Sequence, residues 1–450
     1  MSSRRSRTLG RASLAVLLAG LVAWPVGAAG NPADPAREGS SGWSVRDLGT
    51  LPGHASSEAA GVDRGIVVGT SYDESLASRA FAYDIGTGRM RDLGTLGGES
   101  SGATAIDGDT VVGWSDLAGG GQHAFAFDLE DGSMRDLGAL DDGRYSVAAD
   151  VDGEIVVGSS DGGGHSSRPF AFDLATGELT ALALLPGGSF GQALGVDGDL
   201  VVGWSDVPDE GARAVVHDLS AGTVIPLETL SGDDAGWAYA VDGGTVVGES
   251  LTTIASEAFV YDVRTGSVRG LGLLLLGDRS AAYAVDGGLV AGRANVYTED
   301  DAFYWHAVLR PVGRGSWSRL PEPAGSWSSE AHGIDASTGQ TRVAGTLSTR
   351  DGDRAVLWTR QPEVTGARPV VRGTPAVGKR LTVQRGSWSP AGVTLTQRWL
   401  RDGKAIRGAT GTRYRVVRAD RGHRLSVAVT GHKAGYSTAT MTSAPVKVRR

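Results

Sequence analysis

The 450-residue chain contains no cysteine. That excludes disulfides, thiolate metal sites, iron–sulfur clusters, a cysteine nucleophile and a lipid anchor on sulfur. Lysine is nearly absent, being confined to Lys379, Lys404, Lys433 and Lys447. Beyond residue 30 no apolar run is long enough to span a membrane, since Leu271 to Leu276 is too short. There is no amphipathic helical pattern of about a dozen residues. The sequence also lacks H-E-x-x-H, G-x-S-x-G, a phosphate loop and a dense acidic calcium loop. The eight histidines (54, 123, 165, 217, 306, 332, 423 and 432) form no close pair at metal-ligand spacing, so no cofactor and no metal is expected.

Glycine, by contrast, is abundant, at 69 residues without a period of three, which assigns it to turns. A hydrophobic content of 40% suffices for packed cores. The net charge of -8 is unevenly divided. Residues 361–450 carry 18 basic and 3 acidic side chains, whereas residues 41–360 carry 20 basic, all arginine, and 46 acidic. Two bodies of opposite sign imply two domains with different partners, or two that attract each other.

Arg4, Arg5, Arg7 and Arg11 precede a charge-free stretch from Ala12 to Gly30 that ends in Pro25, Gly27, Ala28 and Ala29. A basic start, an apolar middle and a small-residue end are the parts of a secretory signal, with cleavage expected after Ala28 or Ala29. An uncleaved membrane helix is the competing reading, opposed by Pro25. Residues 30–42 then form a linker.

Beyond the linker the chain is dominated by self-similarity. V-V-G or V-A-G ends at Gly69, Gly113, Gly158, Gly203, Gly248, Gly292 and Gly345, at spacings of 44, 45, 45, 45, 44 and 53. Upstream of each stands an aspartate: Asp63, Asp107, Asp152, Asp197, Asp242, Asp286 and Asp335. Downstream comes an A-F-A-Y-D type pentapeptide, and D-L-G-T-L recurs at Asp47–Leu51 and Asp92–Leu96. In the second unit the strands read as Ser100–Ile106, Thr110–Ser115, His123–Leu129 and Met134–Leu140, separated by D-G and other glycine turns. Four strands at a period near 45 is the spacing of propeller blades. A spare fourth strand, Val45–Leu51, precedes the first unit, and the last unit lacks one. Closing the ring with that strand gives seven blades and removes an exposed edge; an open solenoid is the alternative.

These markers, with His123-Ala124-Phe125 and the D-L-G-T-L-G-G of Asp92–Gly98, resemble the bacterial extracellular repeats named for the tripeptide His-Ala-Phe. The resemblance covers about residues 44–360 and implies no defined activity. The histidine is replaced in other units by Arg79, Arg168, Arg213, Glu257, Asp301 or Arg354. Residues 362–450 change character, to basic strand-like runs such as Arg380–Gln384, Thr394–Leu400, Thr412–Val417, Leu425–Thr430 and Ala444–Val448. Gly386-Ser387-Trp388, R-W-L-R-D-G (398–403), G-A-T-G-T-R-Y (408–414) and Gly435-Tyr436 resemble immunoglobulin-like modules of secreted bacterial proteins. That likeness implies a spacer or attachment unit, with Trp399 packed on aliphatic residues where a disulfide is missing.

The fold class expected is therefore all-β: a seven-bladed propeller over 43–361, then a small immunoglobulin-like β-sandwich over 362–450, behind a signal peptide of 1–29. The aspartates before the second strands read as turn residues. Loops from strand two to strand three, and those between blades, share one face and carry acids and aromatics. On that face the candidate ligand-binding residues are Asp73, Asp116, Asp161, Asp206, Trp237, Asp300 and Asp301; Glu249, Asp278, Tyr72 and Tyr297 lie on the same rim. The function expected is a secreted, non-enzymatic binding or cell-surface protein. Its partners would be a cell-wall polymer, a glycan or an extracellular protein, with no nucleic acid and no membrane segment after cleavage. The alternative is an extracellular glycan hydrolase or lyase, although the S-x-D-x-G-x-T-W box of sialidase-type propellers is missing. Two criteria separate these. An enzyme needs paired acids near the axis with one pKa raised, whereas an interaction protein shows dispersed, solvated acids.

Overall fold

The alternation of short apolar runs with glycine turns produces strands almost throughout. The computed structural model describes residues 42–228, 230, 235–252, 255–298, 302–337 and 339–449. The expected signal peptide and nearly all of the linker lie outside the described residues, as do Asp300 and Asp301. Among the described residues no helix is long and apolar enough to cross a membrane. The chain divides into two compact units, the first taking in Ser44–Thr338 and Arg342–Thr359, the second chiefly Arg360–Arg450.

Seven four-stranded antiparallel sheets build the first unit, among the described residues. Sheets one to six are consecutive in the chain, and their first strands are Ser56–Asp63, Gly97–Asp107, Ser146–Asp152, Gly191–Asp197, Ala235–Asp242 and Ser280–Asp286. Sheet seven joins Ser326–Asp335, Thr341–Thr349 and Gly352–Arg360 to the N-terminal strand Trp43–Gly49. Each first strand lies beside the first strand of the next sheet, and Ser326–Asp335 lies beside Ser56–Asp63, so the sheets form a closed, propeller-like cycle. Apolar side chains fill the gaps between sheets: Val68, Ala80, Ala82 and Leu93 of sheet one meet Ala103, Val111, Phe125 and Phe127 of sheet two.

The repeated V-V-G glycine has a steric cause. Every first strand carries a β-bulge that skips one residue, as between Ala59 and Gly61 or between Ala331 and Gly333. The glycine faces the bulge, and a Cβ on Gly69 would come within 2.0 Å of the Glu58 carbonyl oxygen. The skipped residues are Ala60, Thr104, Ala149, Leu194, Tyr239, Tyr283 and His332. A bulge re-aims the side chain it releases, and because first strands are innermost, these seven positions surround the axis.

The repeated aspartates do more than end strands. Glycine occupies the positive-φ turn position beside most of them, as at Gly108 (φ 56) and Gly198 (φ 56), while the carboxylate reaches into the next sheet. Gly108 N–H donates to Asp63 Oδ2 at 2.7 Å and Gly153 N–H to Asp107 Oδ2 at 2.8 Å. Asp152, Asp197, Asp242 and Asp286 accept from Gly198, Gly243, Gly287 and Ala336 in the same way. Asp335 departs from the pattern, being held by Ser337 and Arg342. Serine hooks also recur between sheets. Ala80 N–H donates to Ser101 Oγ, Ala124 N–H to Ser146 Oγ and, between sheets seven and one, Ala355 N–H to Ser57 Oγ.

The second unit is all-β. One sheet joins Val370–Arg372, Arg380–Gln384 and Arg413–Arg415; a larger one centres on Thr394–Arg401 paired with Arg424–His432. Buried Leu381, Trp399, Val416, Leu425, Val427, Val429 and Val448 form its core. Trp399 stacks on Tyr414 at 5.4 Å, and its Nε1 donates to the Gly411 carbonyl. Asp420 is fully buried and accepts hydrogen bonds from Arg401 Nε (2.7 Å), Tyr414 OH (2.9 Å) and Val417 N–H (2.7 Å). Asp420→Asn keeps the shape but removes the charge from these bonds. The expected cost is about 1.5 to 3 kcal/mol, read as a lower urea midpoint of the second unit's transition.

Candidate functional site

The skipped positions are small or aliphatic in sheets one to four and become Tyr239, Tyr283 and His332 in sheets five to seven. Their rings form a chain around one side of the axis. Tyr239 and Tyr283 meet edge to face at 5.2 Å, and Tyr283 meets His332 at 5.8 Å. A second tier comes from the residue after each V-V-G: Thr70, Trp114, Ser159, Trp204, Glu249, Arg293 and Thr346. Opposite these in the register stand Glu58, Gly102, Val147, Gln192, Trp237, Ala281 and Glu330.

Arg293 is the centre of the cluster and only 7% exposed. Its Nη1 donates to both carboxylate oxygens of Glu330, at 3.0 Å each. Its guanidinium carbon lies 4.0 Å from the centroid of Trp305 and 5.4 Å from that of Tyr283. The charge survives burial because Tyr283, Glu330 and Glu249 surround it, which raises its pKa further. His332 Nε2 stands 3.5 Å from Glu330, and its Nδ1 lies 3.1 Å from the Ala59 carbonyl across the junction of sheets seven and one. Tyr239 OH donates to Glu249 Oε1 at 3.0 Å, and Tyr72 OH to Glu58 Oε2 at 3.4 Å. Side chains of His332 and Glu330 retain 31% and 25% exposure. Burial nevertheless acts on both groups.

These surroundings drive the acids apart. Burial raises the pKa of Glu249 against the charge of Arg293 and the Tyr239 hydrogen bond. Burial likewise raises Glu58, opposed by His332. Glu330 is shifted the other way: burial would raise it, but Arg293 and His332 together hold it ionised. Burial would lower His332, yet its bond to Glu330 and the charge of Glu58 raise it. Carboxyls pushed in opposite directions beside one guanidinium are an arrangement suited to acid–base chemistry.

A cavity of about 170 Å³ opens beside the cluster, lined by Glu249, Leu251, Thr252, Ala255, Ser256, Arg279, Arg293 and Trp305. It lies at the ends of second strands and starts of third strands, on the face that the sequence marks by its acidic loops. Glu249 Oε1 accepts from Tyr239 OH at this wall. A wider depression on the second unit, lined by Gly392, Thr394, His432, Lys433, Ala434 and Thr438, is shallow and has no acid in its wall. Among the described residues no group of three or more histidines and carboxylates is placed to hold a metal ion.

The sequence-derived candidates are placed elsewhere. Asp73 accepts bonds from Ser75 and Ala77 in its own loop, which lowers its pKa. Asp161 Oδ1 braces the preceding inter-sheet loop through Arg144 and Tyr145 N–H, and Asp206 Oδ1 does so through Ser189 and Phe190 N–H. Asp116 occupies the equivalent place beside Ser100, with its pKa raised by burial. Trp237 stands opposite Glu249 in the register, outside the cavity wall. Sequence reasoning placed Glu249 on the rim but missed Glu58, Tyr239, Tyr283, Arg279, Arg293, Trp305, Glu330 and His332. Two alignment columns of the repeats carry the signal: three residues before the aspartate, and one after the glycine.

No family model and no curated protein matches the chain. Among solved structures, an oligogalacturonate lyase in complex with manganese is 16% identical with a TM-score of 0.48, covering 70% of this chain and 93% of its own. The β-propeller domain of the Trilobed protease from Pyrococcus furiosus is 13% identical with a TM-score of 0.47, covering 68% and 94%. A puromycin-hydrolyzing peptidase of Mycobacterium tuberculosis is 18% identical with a TM-score of 0.42, covering 65% and 49%. Although the similar proteins bear enzyme names, the residues of this chain decide its chemistry. The expectation of a non-enzymatic binding protein is corrected accordingly: Glu249 and Glu330 share one buried arginine, are desolvated and are shifted in opposite directions, where that reading required dispersed and solvated acids.

Proposed function

We propose that the protein is an exported enzyme that cleaves a glycan, as a hydrolase or a lyase, at the cavity between sheets five and six of a seven-bladed propeller followed by an immunoglobulin-like module. The observation that carries this is Glu249: a buried carboxyl with a raised pKa, hydrogen-bonded to Tyr239, at the wall of a cavity that also presents Trp305 and two arginines. Both reaction classes protonate the leaving glycosidic oxygen, and Glu249 is the donor. Glu330 positions Arg293, and Trp305 offers an aromatic wall of the kind sugar rings pack against. Support for the seven-bladed reading comes from the seven sheets and the N-terminal strand in the last of them. The Trp399 core between two sheets supports the immunoglobulin-like reading. The basic and apolar N-terminus, with repeats resembling the His-Ala-Phe type, supports export.

The test is turnover of a glycan panel, followed by new reducing ends and by the ultraviolet absorbance of unsaturated ends. Glu249→Gln is expected to lower kcat about 100-fold or more with the fold intact. Full turnover by that variant, or none by the wild type on any glycan, removes the proposal. Unsaturated ends would identify a lyase and their absence a hydrolase.

A further inference from the structure

Charge in the cavity between sheets five and six is unequally compensated. Arg293 is already engaged by both oxygens of Glu330. Arg279, the other cation in the wall, makes no side-chain hydrogen bond or ion pair among the described residues, and its charge acts on Glu249. Yet its backbone is firmly held. Arg279 N–H donates to Asn295 Oδ1 at 2.7 Å, and Arg279 forms a bridge with Ser256. Asn295 is fully buried, and its Nδ2 donates to Asp278 Oδ1 at 2.8 Å.

The repeat makes this arrangement informative. Sheets three and four brace the same loop with Asp161 and Asp206. Sheet six uses neutral Asn295 for the same task, so the group that holds the Arg279 backbone carries no charge. The nearby acid Asp278 has both oxygens occupied, Oδ1 by Asn295 and Oδ2 by Tyr297 OH at 3.1 Å. A guanidinium with no ion pair among the described residues, beside an aromatic wall, matches a planar anion carried on a sugar ring.

We propose that the cavity selects a carboxylate-bearing sugar, a uronate residue of an acidic glycan, and that Arg279 reads its carboxylate. This rests on the glycan-cleaving reading of the same cavity and names its substrate class. With the ligand bound, the carboxylate lies against Arg279 and the sugar face packs near Trp305.

The test is calorimetric titration of the full chain carrying Glu249→Gln, which stops turnover. The probes are trisaccharides of glucuronate, galacturonate and mannuronate, their carboxyl-reduced counterparts, inorganic phosphate and sulfate. At least one acidic trisaccharide is expected to bind about tenfold or more tightly than its reduced form. Adding Arg279→Gln should erase that preference while leaving affinity for the reduced sugar unchanged. Equal binding of acidic and reduced forms, a preference that survives Arg279→Gln, or no sugar binding at all overturns the proposal. So does phosphate or sulfate binding with the same Arg279 dependence and equal strength, which would mark a general anion site. Wild-type turnover separates the two readings. Cleavage of a neutral glycan without acidic preference sinks the uronate and keeps the enzyme; acidic binding without cleavage does the reverse.

Discussion

Arg293→Met is expected to lower stability by about 3 to 5 kcal/mol and to abolish turnover, because it strips a buried carboxylate of its partner. Glu330 would lose both of its 3.0 Å bonds and, among the described residues, keep the His332 contact at 3.5 Å. Trp305 would lose the cation stacked 4.0 Å from its ring centre, worth about 0.5 to 2 kcal/mol. Glu249 would lose the charge that opposes its burial, and its pKa would climb further. The double variant Arg293→Met with Glu330→Gln removes the stranded charge as well. Most of the stability is expected to return while turnover stays absent. Chemical denaturation of the four members of this cycle yields the coupling energy. Additive losses would show that the pair is not the keystone of the cluster.

The second large effect is a pH dependence centred on Asp150. This residue follows the bulge of sheet three, where the other sheets have Gly61, Ala105, Gly195, Ala240, Ala284 and Gly333. Its Oδ2 accepts from Val196 N–H of sheet four at 3.0 Å, yet burial pushes its pKa up from 3.8 to about 7. The folded protein therefore holds a proton that the unfolded chain releases. The resulting stabilisation is complete below about pH 4 and is lost as the pH rises through about 7. Asp150→Asn has no charge to desolvate. At about pH 8.5 it is expected to be more stable than the wild type by about 1 to 4 kcal/mol, with the difference vanishing near pH 4. Thermal melts of both proteins across that range check this. A pH-independent difference would place the cost in packing. Glu58, Glu249 and His332, all raised, slope the same way; only the difference between the two proteins isolates Asp150.

Much of the scaffold is legible in the sequence because its determinants are local. Turn glycines fix where strands end, so Arg380–Gln384 is read to the residue and Thr110–Ser115 differs from Thr110–Leu117 only in length. Fourth strands are read too long: Met134–Leu140 shrinks to Met134–Gly138, because Leu140 turns inward as buried filling between sheets. The N-terminal strand lies two residues earlier than the pattern suggests, at Trp43–Gly49. Asp63 and its counterparts read as turn formers, but their carboxylates act across 45 residues of chain, a contact that no turn preference encodes. The site was hidden for the same reason. Tyr239, Tyr283 and His332 are ordinary members of polar first strands until the bulge aims them at a shared axis. Arg293 and Glu330 are separated by 37 residues and meet only when sheets six and seven stand side by side.

The N-terminal strand also governs when the ring forms. Ser44 and Thr359, which share a hydrogen bond, are 315 residues apart in the chain. During synthesis the strand made first stays unpaired until the last sheet has emerged, while six self-contained sheets fold in order behind it. The entropy of such a closure grows only as the logarithm of its length, about 0.6 kcal/mol per doubling, so the delay costs time far more than stability. Asp335, unlike its six counterparts, bonds within its own sheet. The junction that closes last therefore lacks the carboxylate latch that fastens the others, and His332 lies across it. The Arg293–Glu330 pair can thus form before the ring closes, whereas the His332 contact with Ala59 forms only when it does.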